Sequence, residues 1–233
     1  MALITPDTKL SEIILHDPST ITVLDRFGIS FGVGDLDVAQ ACLQHNINVN
    51  FFTAILNTFI HEDYFPQDVL AQFSASEIVD YLSKTNSYYQ HNVLPNIDRH
   101  FSFLIAKAPS RNNNLIIMKQ FFDEVKSELL QRINNDSDCL FPTVASHSTT
   151  CTQHCCDAVT NHDYTDTIED KINDLINMLV VHLRGDYDHN LGFAVVFAVF
   201  SLKKDIKQNN RIRNRILRPI SNATAAHLGE YEQ

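Results

Sequence analysis

None of the six glycines in this 233-residue chain lies between Gly34 and Gly185, and that gap constrains the fold more than any other feature. Glycine and proline punctuate turns, and tight hairpins need residues that accept positive φ. A stretch this long without glycine favours long helices. Apolar residues along it recur at steps of three and four, the spacing that gathers them on one helix face. One ladder runs Met118, Phe122, Val125, Leu129 and continues into Arg132 and Asp136. A second runs Val195, Val199, Leu202, Ile206 and continues through Asn209 and Arg213 to Ile216. A third carries Ile168, Ile172, Leu175 and Leu179, with His162 on roughly the same stripe through an N-terminal extension. A fourth reads Ile78, Leu82, Asn86, Tyr89, Val93, Ile97.

The chain is therefore read as all-α, with a small helical module over residues 1–65, an up-down four-helix bundle over 75–220 and a tail over 221–233. The ladders carry polar residues at the level where they should meet the core. Arg132 and Asp136, then Asn209 and Arg213, stand four apart, which stacks each pair on one face. Pro142 and Pro219 close the two stretches ten residues after the first polar residue. A polar layer inside helices is where bundles build metal and cofactor sites.

In chain order, Asp17-Pro18 stops a first short helix, and Ser19 or Thr20 caps a second that ends at Gly28. Gly32-Val33-Gly34-Asp35 reads as a tight loop, since no strand precedes it and no third glycine follows at phosphate-cradling spacing. Ser74 or Ser76 caps the first long helix, which Pro95 should kink. The prolines at 142 and 219 are read as helix ends, and Gly185-Asp186 as the turn into the last helix. Leu191 to Leu202 carries no charge; it is too short to span a membrane and suits a buried helix.

The net charge of −10 argues against coating nucleic acid or anionic lipid with the molecule as a whole. Lys203 to Arg218 holds seven basic residues and one acid, leaving the remainder at −16. That helix is read as a solvated face answering the acidic rest of the chain, with a nucleic-acid-linked or signalling module as the alternative it raises. The N-terminus has no basic region before an apolar run, so no signal peptide is read. Five cysteines, four of them late, make a secreted disulfide framework a poor reading and place the chain in the cytoplasm.

His147, Cys151, His154, Cys155 and Cys156 form a second constellation of metal-ligand types, with zinc or copper the ions that thiolates and imidazoles would take. The spacing matches no standard finger, and a mobile loop with incidental thiols is the plainer reading. Cys155 or Cys156 beside His154 lacks a third group to orient a nucleophile. No catalytic residue is assigned. Cys42 reads as an apolar filler.

Phe27-Gly28-Ile29-Ser30-Phe31-Gly32-Val33-Gly34-Asp35 followed by Ala41-Cys42, with Leu140-Phe141-Pro142 and Leu217-Arg218-Pro219 farther on, resembles the repair-of-iron-centres family. These ScdA-like proteins restore damaged iron-sulfur clusters and join an N-terminal ScdA-type domain to a haemerythrin-like di-iron domain. The resemblance covers the chain to about residue 220. It implies a Cys pair where this chain has Gly32 and Val33, and His-x-x-x-Glu ligand pairs where it has Arg132 with Asp136 and Asn209 with Arg213. It also implies a histidine where Asn86 stands; only His162 keeps a ligand type. The expectation is a degenerate site with no cofactor, in a stress-related regulatory or partner-binding protein whose partner is an unidentified protein or, as in many relatives, a second copy. The alternative is a working di-iron repair protein with unusual ligands. Membrane and nucleic-acid partners are not expected.

Overall fold

The computed structural model describes residues 2–108, 112–146 and 167–220. Among these, every regular element is helical apart from one antiparallel bridge between Lys9 and Asp37, so the all-α reading is borne out. The described chain forms two compact units. Of the described residues, one unit holds 2–85 together with 208–219, and the other holds those between 86 and 207 together with Ile220. The division falls inside helices.

The first unit begins with α1 (Leu10–His16), a 3-10 turn (Pro18–Thr20) and α2 (Ile21–Arg26). Gly28 follows α2 at φ 75°, a left-handed conformation that glycine adopts without penalty and that closes helices. α3 (Val38–His45) starts on a capping box, in which Asp37 accepts from the Gln40 amide and the Gln40 side chain accepts from the Asp37 amide. α4 (Val49–Ile60) is capped by Asn48, which accepts from the amides of Asn50 and Phe51. A short α5 (Gln67–Leu70) precedes α6 (Ala75–Tyr88), which Ser74 and Glu77 cap reciprocally. The rings of Phe27, Phe51, Phe52 and Tyr81 pack in the interior, Phe27 stacking on Tyr81 at 5.5 Å and meeting Phe52 edge-on at 4.8 Å. Buried Asn57 ties down the N-terminal segment: its side chain accepts from the Ile4 amide at 2.8 Å and donates to the Ile4 carbonyl at 2.9 Å.

The second unit takes over after Thr85. A π turn (Tyr89–Val93) leads from α6 into α7 (Leu94–Ala106). α8 (Asn113–Asn135) opens on an Asn112 cap and runs through a π turn (Asp136–Leu140) into α9 (Phe141–Ser146). α10 (Ile168–Asn177) ends in a π turn (Met178–His182), and α11 (His189–Ile212) passes into a last one (Arg213–Leu217). α8 packs on α7 and α10. One core gathers Phe101, Phe122, Leu129, Leu175 and Val199 with their neighbours, Phe101 and Phe122 stacking at 5.4 Å. Gly185 makes the turn into α11 at φ 85°, and a Cβ there would lie 2.8 Å from the Asn112 amide nitrogen, which donates to the Arg184 carbonyl.

Two expectations change. Pro142 and Pro219 stand within helix and do not end it. The stretch Leu191–Leu202 is covered on one side alone: Val195, Val199 and Leu202 are buried, whereas Phe193, Phe197 and Phe200 stand in solvent. No described helix is long and apolar enough to cross a membrane.

Candidate functional site

Three of the four π turns share one local cause. Proline has no N–H and its ring clashes with the carbonyl four residues back, so an α-helix cannot simply pass through it. Here the residue before each proline donates five residues back instead: Leu94 to Tyr89, Phe141 to Asp136 and Arg218 to Arg213. Each wide turn ends two residues before its proline and accommodates the ring without breaking the helix. Such bulges are frequent at functional positions. Ten and six residues before the three prolines stand Thr85 and Tyr89, Arg132 and Asp136, Asn209 and Arg213, and all six are buried.

In the second unit Asn86, Arg132 and Asp136 are buried. The Asn86 amide faces an Asp136 carboxylate oxygen at 3.5 Å, a long contact. Arg132 sits one turn before Asp136 on the same face of α8. In the first unit Thr85 donates to the Tyr81 carbonyl at 2.9 Å and contacts Asn209 Oδ1 at 3.4 Å. Arg213 is buried, with Nη1 donating to the Asn214 side chain at 3.1 Å.

The described members of the expected ligand set thus supply one carboxylate, two carboxamides and two guanidinium groups. A carboxylate-bridged di-iron centre needs imidazoles and bridging acids. Guanidinium has no lone pair to give and keeps its charge. This donor set does not fit two iron ions. Among the described residues no group of three or more His, Cys, Asp and Glu is arranged to hold a metal. His162 and the constellation His147, Cys151, His154, Cys155 and Cys156 lie outside the described residues.

Exposed Gly32, at φ 86°, and half-buried Val33 stand in the loop before Gly34 and bring no thiol to it. Cys42 is buried in α3, and burial pushes its thiol up to about 11. A thiol held neutral is a poor nucleophile and a poor ligand. Cys139, at the second π turn, is disulfide-bonded, a departure from the reduced thiols expected of a cytoplasmic chain.

The basic segment is the largest departure. Of its seven cations only Arg215 is fully exposed. Arg211, half-buried in the first unit, donates through Nη1 to Gln208 Oε1 at 2.6 Å and to the Thr58 carbonyl at 3.3 Å, and through Nη2 to the Tyr64 carbonyl at 2.9 Å. Its guanidinium and that of Arg215 stand over the Phe65 ring at 4.9 and 5.1 Å. Desolvation and the Arg215 charge both lower the Arg211 pKa. Around this clamp Thr58 Oγ1, His61 Nε2 and Gln208 Nε2 are buried without a hydrogen-bond partner. A count of charges reads this helix as a solvated face; two of the three acceptors that hold Arg211 are backbone carbonyls of distant residues, which no residue pattern announces.

No family model matches the chain, and no curated protein matches it.

Proposed function

We propose that this chain is a haemerythrin-like, four-helix-bundle member of the iron-sulfur cluster repair family in which the metal layer has become a metal-free polar layer. It acts as a stress-related regulatory or partner-binding protein. The observation that supports the reading is the burial of Arg132 and Arg213 at the two positions where the resemblance requires iron ligands. A buried charge is retained only when hydrogen-bonded or paired, because an uncompensated one costs several kcal/mol. Guanidinium groups built into the interior are therefore structural partners, and iron would have to displace them against like charge.

The test is elemental analysis of protein expressed with ample iron. Iron well below stoichiometry supports the reading, whereas a di-iron content with an oxo-bridge absorption band overturns it.

A further inference from the structure

A small hollow opens in the first unit beside the segment that follows α2. Gly28 turns the chain at φ 75°, and the Ile29 amide donates to the Leu24 carbonyl at 3.0 Å, which folds residues 29–31 back along α2. With Ile14 of α1 completing the wall, the hollow has a volume of about 120 Å³. Buried Leu24 and Ile29 and half-buried Ile14 and Ile21 supply its apolar lining, whereas Asp25, Ser30 and Phe31, all exposed, stand at its rim. An apolar cavity of about 150 Å³ lined by Leu, Ile and Phe stays dry and takes up benzene, and pockets that enclose drug-sized ligands start near about 300 Å³. This hollow therefore suits a single ring or a short branched chain.

The rim decides what the other end of such a ligand must be. Asp25 brings the one charge among the lining residues, and no ion pair or hydrogen bond within the described residues engages its carboxylate. Arg26, the adjacent cation, is buried and donates to the Tyr81 hydroxyl at 3.2 Å, which leaves that carboxylate unanswered. We infer that the hollow binds a small hydrophobic ammonium, its apolar end against Leu24 and Ile29 and its nitrogen at Asp25. The Ser30 hydroxyl can accept from the same nitrogen, and the Phe31 ring gives a cation an aromatic neighbour. Hydrogen bonds to an ionised group are roughly twice as strong as neutral ones, so the charged amine is favoured over a neutral ligand of the same shape. A carboxylate would set like charge against Asp25. All the groups invoked belong to the first unit, and the inference is independent of how the buried polar layer is read.

Titration of the full, isotope-labelled chain with benzylamine, benzyl alcohol and benzoate at neutral pH, followed by amide NMR shifts, tests it. The three probes share one ring and differ in charge. Benzylamine should move the amides of residues 14–31 and bind about 5-fold or more tighter than benzyl alcohol, as a charge-assisted contact requires, with benzoate weakest. Asp25→Asn, which keeps the shape of an exposed side chain, should bring benzylamine down to the level of the alcohol. Benzylamine that leaves residues 14–31 unshifted overturns the inference, as does equal binding of amine and alcohol, or an Asp25→Asn variant that retains the amine's advantage. Shifts scattered over other acidic surface positions would assign the amine to the net charge of −10 and overturn it as well.

Discussion

Replacing Arg211 with methionine should remove the tie from residues 208–217 to Tyr64 together with the intrahelical bond to Gln208, while the apolar stem survives. Hydrogen bonds to a charged donor contribute about 1.5–3 kcal/mol each. The contact to Thr58 at 3.3 Å is long and counts for little, which leaves those to Gln208 at 2.6 Å and Tyr64 at 2.9 Å. Two such bonds sum to roughly 4 kcal/mol, and partial exposure of the guanidinium reduces them by about half. Its place over Phe65 adds about 0.5–1 kcal/mol. The expected loss is about 3 kcal/mol. Urea unfolding followed by far-ultraviolet circular dichroism suits a chain with no tryptophan, and hydrogen exchange should localise the loss to the amides of α4 and of residues 208–217. Arg211→Lys should recover less than half, because a compact ammonium cannot span two separate carbonyls. A loss under about 1 kcal/mol, a tenth or so of ordinary domain stability, or full recovery by lysine, would refute the assignment of these contacts as the anchor.

Deleting Asn92 shortens the first π turn to α spacing while Tyr89 and Leu94 keep their core positions, but it brings Pro95 into an ordinary helix interior; the deletion should cost about 3 kcal/mol, most of it recovered by adding Pro95→Ala, and equal stability of the two variants would count against the proline account. Raised from 9.0 to about 11 by burial, the Cys42 thiol contributes stability that is complete below pH 9 and is lost as pH rises toward 11, because the unfolded chain releases the proton first; the wild type should therefore fall relative to Cys42→Ala across that window, and parallel pH profiles would contradict it.

The ladders that specify long helices are plain in the residues, and Met118, Phe122, Val125 and Leu129 are all buried as their spacing requires. The departures at Val93 and at the two prolines share a source. Regular steps of three and four lead from Tyr89 to Val93, whereas the structure buries Leu94, because the π turn inserts one residue. The prolines at 142 and 219 carry an ordinary stop signal, and that signal presumes α geometry. The first unit also takes in residues 208–219. Its last segment is joined through Arg211 to Thr58 and Tyr64, 153 and 147 positions earlier, and a contact of that range leaves no periodicity to read. The inward placement of Arg132 and Asp136 was legible, since it lies on the ladder itself.

A unit made of residues 1–85 and 208–219 also has a schedule. Synthesis runs from the first residue to the last at about 5–20 residues per second, so α1 to α6 emerge from the ribosome many seconds before the segment that bears Arg211. During that interval Thr58 and Tyr64 have water in place of the guanidinium. The part of this unit that is made first is among the last to be finished, and a fragment cut after Thr85 would remain at that waiting stage.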